Sequence, residues 1–100
     1  YPPFYRLIEI VLKAKEETVV EAMSQELCRL MKQSFQDRVL GPTRPGVAWV
    51  QSLHIRKILL KIENQASPQK VREVIESYQQ YIKGNPKYKS VLVYYDIDPI

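Results

Sequence analysis

One hundred residues suffice for one domain with a modest core, burying roughly 60 to 70% of the unfolded surface. A chain that is 45% hydrophobic and 26% charged is not disordered throughout, and it holds no apolar run long enough to span a bilayer. A net charge of +4 permits an anionic partner such as nucleic acid without requiring one.

The opening Tyr1-Pro2-Pro3-Phe4 has no initiator Met, basic n-region or apolar h-region. It reads as the start of a piece excised from a longer protein and not as a signal peptide. Residues 1–100 are expected to form one domain. The single cysteine, Cys28, excludes an internal disulfide framework and a cysteine-rich zinc site. A reducing compartment is compatible with that count.

Arg6 to Lys13 is short and rich in Ile, Leu and Val, which predicts the first strand. Ile8, Ile10 and Leu12 share one face; Leu7, Glu9, Val11 and Lys13 share the other. Glu16 to about Phe35 has helical spacing, with Thr18 and Glu21 as a possible capping box. Val20, Met23, Leu27, Leu30 and Met31 fall near one side of it. Val39 to Gly46 holds two Gly and two Pro, so it reads as a loop with room for a short strand at Val39-Leu40. Val47 to Leu53 and Ile55 to Glu63 read as two strands, with a hairpin turn near Ser52, Leu53 and His54.

Ser67-Pro68 is a helix start, Ser as N-cap and Pro in the first helical position. Val71, Val74, Ile75, Tyr78 and Ile82 make its apolar stripe, and Gly84 before Asn85-Pro86 stops it. Lys89 to Asp96 is the last strand, ending at Asp98-Pro99. The order β-α-β-β-α-β is that of an α+β ferredoxin-like fold: one mainly antiparallel four-stranded sheet with two helices on one face.

No catalytic constellation is present. Gly41, Gly46 and Gly84 lack the spacing of a phosphate-binding loop, and neither GxSxG nor HExxH occurs. The one histidine, His54, reads as a structural or solvated residue, and Cys28 as a buried, inert thiol. Asp96 and Asp98 are too few to define a cation site and read as carboxylates that bond nearby backbone amides at a strand end. The chain by itself is expected to be no enzyme, to carry no cofactor and to hold no metal.

The cations carry more information. Arg44 sits in the Gly/Pro loop, Arg56, Lys57 and Lys61 on the third strand, and Lys70 and Arg72 open the second helix, whose N-terminus favours anions. Trp49, Tyr5 and Tyr88 offer flat faces on which bases can stack, while Tyr78 and Tyr81 read as core or boundary residues. The sheet lacks the paired exposed aromatics of an RNA-recognition motif. Leu7, Val11 and Leu59 lie among Glu9, Lys13, Lys57 and Lys61 on the sheet face away from the helices. That mixture fits either scattered surface apolar residues or a face that docks on another domain.

Several motifs occur together in order: Tyr1-Pro2-Pro3-Phe4, Val39-Leu40-Gly41-Pro42-Thr43-Arg44-Pro45, Arg56-Lys57-Ile58-Leu59-Leu60-Lys61 and Asp96-Ile97-Asp98-Pro99. Over essentially its whole length the chain resembles the C-terminal domain of primosomal protein N-prime (PriA), the bacterial replication-restart DNA helicase. The resemblance implies an S10-like fold and a cytoplasmic parent, an ATP-dependent 3′-to-5′ helicase of superfamily 2. ATP, magnesium and zinc are implied for that parent, with their motifs before Tyr1.

The partners it implies are branched or single-stranded DNA, the rest of the helicase chain, other primosome proteins and the acidic tail of single-stranded-DNA-binding protein; no membrane is implied. On the matching positions, Arg44, Arg56, Lys57 and Lys61 become the expected DNA contacts. Lys70 and Arg72 become the expected contacts for the acidic peptide, undistinguished from each other. Leu7, Val11 and Leu59 become the expected interdomain surface.

Three readings stand: a non-catalytic accessory domain that contacts DNA without sequence preference; a protein-docking module that receives an acidic peptide with little DNA affinity; and an unrelated α+β domain for RNA or a small ligand.

Overall fold

A computed structural model describes residues 5–44, 46, 49–63 and 67–97. In chain order it contains strand β1 (Tyr5–Ala14), helix α1 (Glu17–Phe35), strands β2 (Val39–Thr43), β3 (Trp49–Val50) and β4 (Leu53–Glu63), helix α2 (Pro68–Lys83) and strand β5 (Leu92–Ile97). Short 3-10 turns follow each helix, at Gln36–Arg38 and Pro86–Tyr88.

The sheet runs β2-β4-β1-β5, with β3 hairpin-paired to the start of β4 and every neighbour antiparallel. This is the expected α+β ferredoxin-like arrangement. Alternation along the strands explains why it closes. Ile8, Ile10, Leu12 and Ala14 of β1 and Ile58, Leu60 and Ile62 of β4 point to one side and are buried. Against them α1 lays Val20, Met23, Leu27, Leu30 and Met31, and α2 lays Val71, Ile75 and Ile82. Both helical stripes follow the spacing read from the sequence; Val74 and Tyr78 are half-buried at its edge.

The second long-range strand is not Val47 to Leu53. It is β2, in the segment expected to be a loop with room for a short strand at Val39-Leu40; the strand forms there and runs on to Thr43. Pro42 is tolerated there because β2 is an edge strand with one neighbour, so its missing N–H breaks no inner ladder. Gly41, at φ +117°, sits in a register shift between Leu40 and Thr43. A Cβ there would lie 3.0 Å from the Lys57 carbonyl oxygen.

The β3–β4 hairpin turns on Gln51 and Ser52, both at positive φ (53° and 66°), between Val50 and Leu53. The capping box does not form: α1 begins at Glu17, leaving Thr18 inside the helix and Glu16 as an N-cap without a side-chain bond. Ser67 does cap α2, its Oγ accepting from the Lys70 backbone N–H at 3.4 Å. The last strand starts three residues later than expected, because Pro86–Tyr88 forms a 3-10 turn.

Candidate functional site

The expected site residues divide between two sides of the molecule. The register aligns Leu7, Glu9, Val11 and Lys13 of β1 with Lys61, Leu59, Lys57 and Ile55 of β4 on the face that no helix covers. Tyr94 stands beside Val11, Leu92 beside Lys13, and Leu40 beside Leu59 on that same face. Leu7, Leu40, Leu92 and Tyr94 are 38%, 45%, 44% and 51% exposed. Four of the five strongly exposed large hydrophobic residues among those described therefore share one open face.

Charges are interleaved with this apolar surface and are partly neutralised. Lys57 Nζ lies 3.2 Å from Glu9 Oε1, and Lys13 Nζ sits 5.4 Å from the Tyr94 ring centre. Glu9 also faces Asp96 across β1 and β5, so Lys57 offsets a carboxylate pair. Lys61, opposite Leu7, and Arg44, just past β2, are exposed.

Arg56, expected with these cations, does not join them. As an even-numbered residue of β4 it points to the helix side and is 6% exposed. Its Nε donates to Glu21, a second guanidinium nitrogen lies 3.3 Å from Glu17, and Nη1 donates to the Ile55 carbonyl at 2.9 Å. The bond from Arg56, helped by Gln25, holds the Glu21 carboxyl below the usual carboxylate range. Burial works against the Arg56 charge, but its bonds to Glu21 and Glu17 outweigh it and raise its pKa. Arg56 pins α1 to the sheet and is closed to an outside phosphate while these contacts stand. His54 is half-buried beside it, with Nδ1 3.8 Å from Glu17.

Lys70 and Arg72, alike in the sequence, separate in space. Arg72 donates to Glu76 at 3.1 Å and lies 5.4 Å from the centre of the Tyr95 ring. Lys70 instead lines a shallow groove with Ser34, Glu73, Val74, Ser77 and Tyr78.

Tyr81, expected at the core or its boundary, is 74% exposed. It lies off the buried stripe, about 100° around the helix from Ile82. Its neighbour Tyr88 is half-buried against the core, with Lys87 Nζ 5.7 Å from its ring centre. The side chains of Tyr5 and Trp49, and Asp98, lie outside the described residues. Cys28 is buried and donates to the Gly41 carbonyl at 3.0 Å; burial pushes its thiol pKa up. Among the described residues no three His, Cys, Asp or Glu side chains gather to hold a metal, and no helix is long and apolar enough to cross a membrane.

A family model described as the primosomal protein N C-terminal domain matches residues 1–100. The chain belongs to that family. Membership supports a primosomal role in replication restart. No curated protein matches the chain. Among solved structures it is similar to a de novo designed protein, Foldit4, at a TM-score of 0.66 and 11% identity, covering 96% of this chain and 98% of that one. At that identity the likeness speaks for the fold alone.

Proposed function

We propose that this chain is a non-catalytic C-terminal module of a primosomal replication-restart helicase, working in the bacterial cytoplasm. It docks on the rest of its parent through the open sheet face and contacts branched or single-stranded DNA without sequence preference. The observation that carries this reading is the gathering of Leu7, Leu40, Leu92 and Tyr94 on the uncovered face. An exposed apolar face this concentrated is what an interdomain contact buries. Val11 and Leu59 lie within it, half-buried. Arg44 and Lys61 supply exposed positive charge for phosphates, with Lys57 beside them. The helicase chemistry, with its ATP, magnesium and zinc, belongs to the parent's other domains.

The test is Leu92→Glu in the full-length helicase and in the 100-residue chain. The isolated chain should keep its thermal midpoint, because Leu92 is already half exposed. The full-length protein should become more sensitive to limited proteolysis between this domain and the remainder. Equal protease resistance of wild-type and variant helicase would overturn the docking role.

A second reading draws on the groove beside Lys70. There a cation adjoins the apolar sides of Val74 and Tyr78, a combination that suits an acidic peptide with an apolar end, such as the tail of single-stranded-DNA-binding protein. Lys70, and not Arg72, is then the contact. Lys70→Glu should abolish binding of that tail peptide while Arg72→Gln retains it; the reverse pattern rejects the groove.

A further inference from the structure

We infer that the corner formed by the end of α2 and the following 3-10 turn is a stacking site for single-stranded nucleic acid, with Tyr81 and Tyr88 as platforms and Lys83, Lys87 and Lys89 as phosphate contacts. This rests on the DNA-contacting reading above and gives it a surface that joins Tyr88, offered by the sequence for stacking, to Tyr81, which the sequence assigned to the core or its boundary.

Three observations lead here. Tyr81 is the most exposed large hydrophobic residue described, at 74%, and it lies in the helix layer, away from the open sheet face. It shares a groove of about 340 Å³ with Ile82, Asn85, Tyr88 and Glu26. The chain segment that forms it is charged with one sign: from Ser77 to Tyr95 it has no acidic residue and three lysines, Lys83, Lys87 and Lys89. The one carboxylate lining the groove, Glu26, is bonded to Arg29.

The corner is also held in shape before any ligand arrives. Asn85 Oδ1 accepts from the Lys87 backbone N–H at 3.0 Å, and the Tyr88 N–H donates to the Asn85 carbonyl at 3.0 Å. Val91, buried at 1% exposure, ties the turn to the core and donates to the Tyr88 carbonyl at 3.2 Å. A rigid turn that carries aromatic rings and lysines loses little freedom on binding. Flat rings accept any base, and lysines accept any phosphate, so the site reads strandedness and not sequence. Because the corner and the open sheet face lie on different sides, the domain can dock and hold a strand at once.

The experiment is fluorescence anisotropy of the 100-residue chain, which closes its own core, with labelled oligo-dT and with a duplex of equal length at two salt concentrations. Tyr81→Ala should weaken oligo-dT binding about five-fold or more and leave duplex binding unchanged, since duplex bases are already stacked. Lys89→Gln should flatten the slope of log affinity against log salt by about 0.7. Thermal unfolding of both variants should match wild type, as both positions are exposed.

If wild type binds oligo-dT and Lys61→Gln weakens it while Tyr81→Ala and Lys89→Gln do not, the corner is overturned and the broader DNA reading stands. If wild type binds neither DNA even at low salt, both fall.

Discussion

Arg56 and Glu21 stand 35 residues apart in sequence, and the Arg56 Nε donates to the Glu21 carboxylate across the boundary between sheet and helix. The guanidinium is buried while Glu17 and Glu21 keep 47% and 41% of their side-chain surface, so the pair is anchored from within and screened from without. Arg56→Gln should destabilise the fold by about 1 to 2 kcal/mol, read from urea unfolding. Salt-dependent DNA affinity should not change. A variant that folds as well as wild type but loses DNA binding would return Arg56 to the DNA surface.

The same pair sets an acid limit. Glu21's carboxyl is held below its ordinary value of 4.5 in the folded chain, chiefly by the bond from Arg56. A depressed carboxyl stabilises the fold above its unfolded pKa, and that contribution fades as pH falls through the folded one. Stability should therefore drop below about pH 4.5, and Glu21→Gln should lower neutral-pH stability while flattening that acid limb. An unchanged limb in urea titrations from pH 6 to 2.5 would assign the acid loss elsewhere.

At the alkaline end Tyr95 sets a second limit. Burial pushes its phenol up to about 12, and its hydroxyl donates to Gln79. An acid held neutral in the fold costs stability once the unfolded chain can ionise it. Stability should fall as pH rises from about 10 toward 12. Tyr95→Phe should remove that fall, as followed by thermal melts across the range.

Gly41 sits at φ +117° with the Lys57 carbonyl 3.0 Å from where a Cβ would stand. Gly41→Ala should cost about 1 to 3 kcal/mol, since it meets both backbone strain and a backbone neighbour that cannot swing aside. Amide exchange should localise the damage to β2 and its contact with β4; uniform loosening of the whole sheet would contradict that placement.

Lys57 and Lys61 share a face and should behave differently. Lys61→Gln should leave stability unchanged and weaken DNA of unrelated sequences alike, flattening the salt slope by about 0.7 for single strands. Lys57→Gln should instead lower stability by about 0.2 to 1 kcal/mol, because Glu9 then faces Asp96 uncompensated. Equal effects of the two variants on both readouts would mean the Glu9 contact does not distinguish them.

Local pattern was enough for the alternation of strands and helices, both helical stripes, the inward set Ile8, Ile10 and Leu12, and the Ser67 cap, because period 2, period 3.6 and capping are properties of neighbouring residues. It allowed a strand at Val39-Leu40 but not its run through Gly41 and Pro42 to Thr43: Gly and Pro signal a break locally, and only the edge position beside β4 makes them harmless. Strand alternation already set Arg56 on the face opposite Lys57, but did not show that Glu17 and Glu21 of α1 close over it, nor which of Lys70 and Arg72 lines a groove. Adjacent strand residues face opposite ways, and which side is covered depends on where α1 and α2 pack. The exposure of Tyr81, and the addition of Leu40, Leu92 and Tyr94 to the open face that Leu7, Val11 and Leu59 already marked, came from packing alone. A side chain's partners come from elements distant in the chain, and their register is set only once the sheet and helices close on one core.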